Sequence, residues 1–345
     1  MKFKPLAVLF TAALSFFMIT SCKKGSPIKE NMEPDSSAKS VIIVPNTKWL
    51  DTDGNEIKCQ GGKMYLEDGI YYWVGNNFNG SDYHFAGINL YASKDLKNWK
   101  FVNTILSRTD VDSTIAWVGR PALAKKPDGS YIIMMGCDRG NGNLGYATCS
   151  TINGHYSWKG KVALLGKYEF NDHDLFTDTD GKIYFVASTV QDLSTGTWYD
   201  AVIAQCDPNT LLPSIEICKF GNGAVEGTSM FKKDGLYYFF ASQKNGWNGT
   251  NTKWASSSTI SGFNPSWNTY NDLSYSPATT NGFNAQNDFE LQIGNNYFYM
   301  ADCWSNFTSI GNGRYVWLPL SFSGGTPSLT WYDQWTLNPD GTWKP

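Results

Sequence analysis

The sequence MFKKDGLYYF, at residues 230–239, places an Asp-Gly pair between an apolar segment and an aromatic one. Such a pair is the strongest short-range signal for a β-hairpin, because both residues tolerate the positive φ of a tight turn. The same pattern occurs five times in the chain. Its turns are Asp68-Gly69, Asp128-Gly129, Asp180-Gly181, Asp234-Gly235 and the degenerate Gly294-Asn295. The sequence therefore predicts five antiparallel hairpins.

The spacing of these hairpins indicates how they are arranged. They recur at intervals of roughly 50 to 60 residues, which is a period typical of propeller blades. We therefore predict an all-β fold, a five-bladed β-propeller, formed by one domain over residues 46–345. In such a fold the innermost strand of every blade faces one central axis, so residues far apart in sequence meet in one pocket.

The composition favours a rigid sheet protein with an aromatic binding surface. The chain has 345 residues, with 14 Trp, 19 Tyr and 20 Phe, and a formal net charge of −3. Many of these rings are simply good strand residues, but an aromatic groove is also suited to carbohydrate. No basic cluster stands out, so the composition argues against binding to nucleic acid.

The N-terminal residues have the pattern of a targeting signal. Two lysines precede an apolar run, Leu6–Ile19, that is too short to remain as a membrane span. The run ends at Ile19-Thr20-Ser21-Cys22, which resembles a bacterial lipobox. We predict a lipoprotein signal peptide over residues 1–21, lipidation of Cys22 and a flexible tether over residues 22–45. The protein would then be anchored to a bacterial membrane through lipid alone and face the periplasm or the cell surface. A conventional secretory signal is the alternative.

Cysteine and histidine usage gives little support for a metal site. Six cysteines follow Cys22, none of them in a CxxC pair, and the chain has only three histidines. We predict no cofactor and no metal site, with a structural calcium ion in the propeller channel as an alternative. Cys137 with Cys149, and Cys206 with Cys218, flank predicted hairpins and could form disulfides. Free thiols are favoured, because a domain of this size does not need covalent links.

Polar residues stand at the same position ahead of the hairpins, where an inner strand opens onto the central axis. They are Gln60, Arg120, Asp172, Asp174, Glu226, Gln286 and Asp288. Any one of these acids could be a turn residue whose carboxylate is bound by backbone amides. Their repeated placement at the same position of each blade argues against a chance arrangement. Acidic groups around an aromatic funnel are what glycosidic bond cleavage needs, because one carboxylic acid must protonate the leaving oxygen while a second group activates water.

Several motifs resemble family 43 of the glycoside hydrolases. The segment Ser93–Trp99 is similar to the outer-strand pattern S-x-D-L-x-x-W of that family. Asp51–Ile57, followed by Gly-Gly and by Tyr71–Gly75, is similar to the exo-β-1,3-galactanase branch, as are Tyr299–Trp304 and Val316–Leu320. The likeness follows all five hairpins in order and implies a propeller with glycosidase activity.

The resemblance implies three catalytic residues. Glu226 matches the general acid of the branch, and Asp172 matches the aspartate that modulates its pKa, with Asp174 as the alternative one strand-face period away. The branch lacks the aspartate base of the wider family and has glutamine on the fifth blade, which Gln286 matches. Gln286 would orient the attacking water. Because an amide is a poor proton acceptor, the base step is left unexplained, and a relay through Asp288 or solvent is conceivable.

The departures from the branch fall at sugar-contacting positions. Gln60 stands in place of histidine, Asn76 and Gly119 in place of glutamate, and Leu144 in place of tyrosine. We predict a substrate-binding set that consists of Gln60, Asn76, Arg120, Asn143, Asp174, Trp247 and Asp288. Trp247 could stack on a sugar or cap a blade core, and Arg120 could instead hold a loop between blades. Losing two carboxylates and a ring implies a changed sugar preference.

Taken together, the sequence predicts an inverting exo-glycosidase that acts on plant-type side-chain polysaccharides as a monomer. The resemblance favours release of galactose from β-1,3-galactan. An α-L-arabinofuranosidase or β-xylosidase of the same family is the first alternative. A cell-surface glycan-binding protein without catalysis is the second, although a binder has no need to retain both Glu226 and Asp172.

Overall fold

The computed structural model describes residues 39–79, 84–138, 142–265, 269–304 and 310–345. These residues form an all-β propeller with short 3-10 turns at Gly282–Asn284 and Ile310–Asn312. The predicted signal peptide and the lipidation of Cys22 lie outside the described residues. No helix in the described ranges is long and apolar enough to cross a membrane.

The strands fall into sheets that follow one another along the chain. Strand β1 is Val41–Ile43. Sheet one contains β2 (Gln60–Glu67), β3 (Ile70–Asn79), β4 (His84–Ser93) and β5 (Lys100–Ser107). Sheet two contains β6 (Val118–Lys125), β7 (Tyr131–Cys137), β8 (Asn143–Cys149) and β9 (Ser157–Val162). Sheet three contains β10 (Tyr168–Glu169), β11 (Asp172–Thr177), β12 (Ile183–Asp192), β13 (Trp198–Cys206) and β14 (Pro213–Phe220).

The remaining strands complete the propeller. Sheet four contains β15 (Val225–Lys233), β16 (Leu236–Gln243), β17 (Thr252–Ser257) and β18 (Asn271–Asp272). Sheet five contains β19 (Ser274–Ser276), β20 (Gln286–Ile293), β21 (Asn296–Cys303), β22 (Arg314–Ser323) and β23 (Thr326–Thr330). Sheet six joins β1 to β24 (Trp335–Leu337) and β25 (Trp343–Lys344).

All five predicted hairpins are present, one in each of sheets one to five. Their turns use the positive φ that the residue types permit: 50° and 75° at Asp68 and Gly69, and 50° and 82° at Asp234 and Gly235. The first strands of these hairpins (β2, β6, β11, β15 and β20) contact one another in order around a closed ring. The polar residues at their starts are thereby brought to one end of a common axis.

The predicted number of sheets was wrong, because the structure has six in place of five. Sheet six pairs Val41–Ile43 with Trp335–Leu337, which come from the two ends of the described chain. Residues 41–43, which the sequence assigned to a tether, therefore form strand β1. A further Asp-Gly pair, Asp340-Gly341, turns β24 into β25. Its flanking strands have three and two residues and are too short for the hairpin pattern to be recognised in the sequence.

Apolar layers fill the space between successive sheets, and the layer that closes the ring is rich in tryptophan. Trp73 of sheet one and Trp317 of sheet five lie with ring centroids 5.0 Å apart. Trp49 packs edge-on against Trp317 at 4.6 Å. Trp335 of sheet six belongs to the same cluster and donates its indole N–H to the Trp317 carbonyl at 2.9 Å. Sheet six thus covers the junction where the first and fifth sheets meet.

Candidate active site

A cavity of about 410 Å³ opens where the inner strands begin. Its walls combine acidic, basic, amide and aromatic side chains from all five hairpin-bearing sheets, as well as the loops that follow them. The lining residues are Gly61, Asn76, Phe78, Trp117, Gly119, Arg120, Asn171, Asp172, Thr189, Glu226, Lys244, Gly246, Trp247, Gln286 and Trp304. The size lies within the range of ligand pockets in proteins.

Bulges at the starts of the inner strands aim these side chains. The ladder register shifts between Gly119 and Ala122 in β6, between Glu226 and Ser229 in β15, and at the same phase in β2 and β20. An extra residue in one strand bends it and redirects the neighbouring side chain, which is why bulges recur next to active sites. Arg120 sits within its bulge at a φ of 50°, and Gly227 within the next at 60°.

Arg120 is the hub of the polar network. Its Nε lies 3.0 Å from Asp172 Oδ1, and its Nη1 lies 2.9 Å from Asp288 Oδ1. Nη1 also donates to the Asn287 carbonyl at 3.3 Å, and Nη2 donates to Gln286 Oε1 at 2.9 Å. The guanidinium is 8% exposed, so these partners take the place of water. One buried cation thus links sheets two, three and five.

Glu226 is set up to carry a proton. It is 8% exposed at the start of β15, and burial raises its pKa to about 7, with the negative charge of Asp172 adding to the effect. A hydrogen bond from the Asn245 backbone N–H to Oε1, 3.2 Å long, and the charge of Arg120 act in the opposite direction. A carboxylic acid with such a pKa is a suitable general acid near neutral pH.

Asp172 is held in place as a charged partner. Besides the Arg120 ion pair, its Oδ2 accepts a hydrogen bond from the Gly227 backbone N–H at 2.8 Å. The same bond ties sheet three to the residue that follows Glu226. Asp172 is therefore fixed close to the acid and acts on it through its charge.

A buried pair of carboxylates lies behind the cavity wall. Asp288 and Asp302 are 7% and 2% exposed, and Asp302 accepts a hydrogen bond from the Gly61 backbone N–H. Burial and the neighbouring Asp302 raise the pKa of Asp288 well above its ordinary value, and burial raises the pKa of Asp302 as well. Burial and the mutual repulsion of the two carboxylates thus disfavour full ionisation of the pair. Asp302 was missed as a site residue, although it lies within the Tyr299–Trp304 motif.

Aromatic rings form one side of the cavity. Trp247 and Trp304 lie with centroids 5.1 Å apart, and Phe78 approaches Trp304 edge-on at 6.1 Å. Trp117 packs against the same group. Trp247 was predicted at the site and does line the cavity, whereas the other three rings were missed. Trp304 ends a motif noted in the sequence, and Trp117 precedes the predicted Arg120.

Trp117 fills the space that a side chain at Gly119 would take. A Cβ built on Gly119 would lie 1.9 Å from the Trp117 ring. A glutamate, the residue that the galactanase branch carries at this position, would need Trp117 to move. At this position the cavity wall therefore carries the apolar Trp117 indole, where the resemblance to the branch implies a charged carboxylate.

The structure brings together part of the predicted set. Glu226, Asp172, Gln286, Asn76, Arg120 and Trp247 all line the cavity. Asn76 donates to the Val118 carbonyl at 2.5 Å, whereas its buried Oδ1 accepts no hydrogen bond from the described residues.

Four predicted substrate-binding residues lie outside the cavity lining: Gln60, Asn143, Asp174 and Asp288. Asp174 bonds to Lys63 and to the Met230 backbone N–H at 2.9 Å, so it ties inner strands together. Gln60 is fully buried, and Asp288 pairs with Arg120. Leu144, next to Asn143, lines a second cavity of about 640 Å³ between sheets two and three.

The described residues hold no group of three or more His, Cys, Asp or Glu side chains placed to bind a metal ion. The six cysteines among them are free thiols. Cys137 pairs in the ladder with Asn143 and Cys149 with Tyr131, so the two thiols do not face each other across the hairpin.

Comparison with known proteins agrees with the fold. The sequence pattern described as Glycosyl hydrolases family 43 matches residues 62–301. The exo-β-1,3-galactanase of Phanerochaete chrysosporium, solved with β-1,3-galactotriose, superimposes with a TM-score of 0.76 at 29% identity, over 88% of this chain and 70% of that one. The exo-β-1,3-galactanase of Clostridium thermocellum gives 0.76 at 25% identity, over 88% and 68%.

Among curated relatives, a xylan 1,3-β-xylosidase of Vibrio sp is 28% identical over 221 residues, which is 59% of this chain. The match covers 38% of the length of that relative.

A propeller with a buried glutamic acid of raised pKa beside an aspartate in an aromatic cavity has the groups that a glycoside hydrolase needs. The family match covers well over half of the chain, and this protein belongs to the glycosyl hydrolases family 43.

Proposed function

We propose that this protein is an inverting exo-glycosidase that releases galactose from β-1,3-galactan. The observation that carries the proposal is Glu226, a buried acid with a pKa of about 7 beside Asp172. Gln286 lines the same cavity and provides an amide where the resemblance implies a carboxylate base in most of the family. The similarity to two exo-β-1,3-galactanases supports galactan as the substrate.

In this single displacement, Glu226 gives its proton to the departing glycosidic oxygen. Asp172 contributes by charge, because it favours the protonated form of Glu226 before the reaction. The charge that develops on the sugar ring is close to this aspartate and is stabilised by it.

As the glycosidic bond breaks, water attacks the anomeric carbon from the opposite face of the ring. Gln286 lines the cavity and holds this water by hydrogen bonding. The product therefore has the inverted configuration at the anomeric carbon. A cavity of about 410 Å³ at the end of the propeller axis suits the end of a glycan chain, in agreement with exo action.

A specific observation favours a second candidate, hydrolysis of pentosides such as β-xylosides or α-L-arabinofuranosides. The Trp117 ring occupies the space beside Gly119, so the cavity has lost a polar contact there. A site that cannot pair a given hydroxyl discriminates against the sugar that presents it. The similarity to a xylan 1,3-β-xylosidase supports the same candidate.

We further propose that the protein acts as a monomer at a bacterial membrane, held through lipid on Cys22. The support is the lipobox-like segment Ile19–Cys22 after a short apolar run. Growth with radiolabelled palmitate should label the wild type and leave Cys22→Ser unlabelled. Label on both proteins would contradict the anchor.

The substrate is tested by product release from β-1,3-galactooligosaccharides and a panel of nitrophenyl pentosides. Galactose from the oligosaccharides would support the galactanase, whereas pentose release with silence on galactans would support the second candidate. Glu226→Gln should abolish release in either case. Glu216→Gln, at a half-buried position outside the lining of the cavity that holds Glu226, is the matched control. Retention on glycan gels with no release by the wild type would instead indicate a binding protein.

A further inference from the structure

We propose that Lys244 forms a binding site for an anionic substituent on the sugar that leaves, a uronate carboxylate or a sulfate ester. The inference rests on the proposed glycosidase for the position of the leaving sugar, and it adds a charged class of glycan to the substrates. A β-1,3-galactan chain is itself neutral, so it offers this cation no charged partner.

Two cations line the cavity among the described residues, and only one of them is neutralised by contact. Arg120 is bound by two aspartates at 3.0 and 2.9 Å, whereas Lys244 forms no ion pair with any carboxylate in the described ranges. Burial lowers the pKa of its ammonium, and the charges of Glu226, Asp172 and Asp200 offset that effect only in part. A further negative charge, brought by a ligand, would therefore be attracted to this cation.

Lys244 lies on the side of the cavity where the leaving sugar must be. The next residue, Asn245, donates its backbone N–H to Glu226 Oε1 at 3.2 Å, so this loop runs beside the acid. Glu226 protonates the glycosidic oxygen, and the leaving sugar is attached to that oxygen. Gly246 and Trp247 continue the same loop along the cavity wall. The leaving sugar is therefore next to the loop that carries Lys244.

The ammonium is held at the cavity mouth by an aromatic ring. Its Nζ lies over the Trp198 ring, 5.5 Å from the centroid, which is a cation–π contact. The backbone of Lys244 is fixed as well, because its N–H donates to the Ala224 carbonyl at 3.4 Å. Lys244 is otherwise exposed, so an anion can approach it from solvent. A lysine is a point charge without the planar fork of arginine, and it suits a carboxylate and a sulfate alike.

The kinetic test compares two leaving sugars that differ only in charge. The sugar that the wild type releases is linked to galacturonate in one substrate and to galacturonate methyl ester in the other. At about pH 5.5 a uronate is ionised and Glu226 keeps its proton. The ratio of kcat/KM on the acid to kcat/KM on the ester should fall about tenfold in Lys244→Met. An unchanged ratio would overturn the proposal, because Lys244 would then only balance the charge of the cavity acids.

Two further variants complete this comparison. Lys244→Arg keeps the positive charge and should preserve the ratio of the wild type. Lys159→Met removes a charge from an exposed position outside the cavity lining and should also leave the ratio unchanged. The advantage of the acid in the wild type should shrink in 0.5 M NaCl, since salt screens exposed charges. Loss of the ratio in Lys159→Met would show that net charge, and not a site, is responsible.

Anion binding can also be observed without turnover. Reductive methylation with ¹³C-formaldehyde labels the lysines and keeps their charge, and loss of a signal in Lys244→Arg identifies Lys244. Sodium galacturonate or galactose 6-sulfate should shift this signal in a saturable way, and the one that saturates at the lower concentration is the preferred anion. No shift with either anion, or an equal shift with galacturonate methyl ester, would contradict the site. An enzyme silent on every glycoside would refute the proposed function, and this titration would still decide the anion site.

Discussion

At the scale of single residues, the electrostatics of the site depend on a small number of charged side chains. Arg120 is paired with Asp172 and Asp288, and burial raises the pKa of Asp288 well above its ordinary value. Glu226 is buried and lies beside the negative charge of Asp172, and both conditions raise its pKa.

The pH dependence of catalysis should report this arrangement. Glu226 must be protonated to act, so kcat/KM should fall as the pH rises through about 7, the pKa of this side chain. Asp172→Asn removes the charge that raises this pKa, so the alkaline limb should move to lower pH, besides any loss of rate. A pH–rate profile measures both. The account fails here if the limb stays in place or moves to higher pH, with Asp180→Asn on an exposed turn as control.

Stability should also depend on pH through buried acids that catalysis does not use. Burial raises the pKa of Glu290 to about 8, from 4.5. A raised pKa means that the folded state binds the proton more tightly than the unfolded chain, so this group costs stability as the pH rises from about 4.5 to 8. Glu290→Gln should reduce the fall in Tm between pH 5 and pH 8, measured by thermal unfolding.

The control for that experiment is Glu216. Its burial raises the pKa, but hydrogen bonds from Lys167 and Tyr168 outweigh the burial, and the pKa is lowered overall. Glu216→Gln should therefore leave the fall in Tm unchanged or steepen it. An equal fall in wild type and Glu290→Gln would show that Glu290 is not the cause.

At the scale of elements, the hairpins could be predicted from the sequence because their signal is local. Asp68-Gly69 and Asp234-Gly235 specify turns by their own tolerance of positive φ. The bulges were not predicted, because a register shift depends on the partner strand. The same limit explains why Asp174 was proposed at the site. It lies two residues from Asp172 in the sequence, whereas in the structure its carboxylate bonds to Lys63 and to the Met230 backbone N–H.

The bulge glycine of β15 should be intolerant of substitution. Gly227 has a φ of 60°, and a Cβ would lie 2.8 Å from Gln286 Cγ and 3.1 Å from the Asn287 carbonyl. Gly227→Ala should cost about 2–4 kcal/mol in the free energy of unfolding, since backbone strain and overpacking add. Activity should fall as well, because Gln286 is displaced.

Gly129 is the matched control for this substitution. Its φ is 86°, and a Cβ there would meet no atom within 4 Å. Gly129→Ala should therefore cost only the strain, about 1–2 kcal/mol, with activity retained. Urea unfolding of both variants gives the comparison, and equal costs would argue against crowding at Gly227.

At the scale of the whole molecule, the ring must close for the site to exist, because its side chains come from sheets that meet around one axis. Five inner strands could be inferred from the hairpin period, and so could the meeting of Glu226, Asp172 and Gln286 at one end. The cover that sheet six provides over the junction of sheets one and five could not be inferred, because strands of three and two residues give little signal in the sequence. Asp302 and the packing of Trp117 over Gly119 likewise depend on contacts between sheets.

Loss of the closing layer should weaken the whole propeller. Trp335 is 2% exposed and stacks on Phe298 with centroids 5.3 Å apart. Trp335→Ala should cost about 3–5 kcal/mol in the free energy of unfolding. Trp343→Ala, at a half-buried position in the same sheet, should cost clearly less. If both variants unfold at the same denaturant concentration, sheet six does not close the ring in the way described.

The central claim is that Glu226 protonates the leaving group in an inverting hydrolysis. Time-resolved ¹H NMR of the cleavage of methyl β-1,3-galactobioside, whose blocked reducing end releases no free galactose, tests it most directly. The wild type should release α-galactose first, before mutarotation supplies the β anomer, and Glu226→Gln should lower the rate by about 10²–10⁴-fold. Initial release of the β anomer, or turnover by Glu226→Gln close to that of the wild type, would contradict the account.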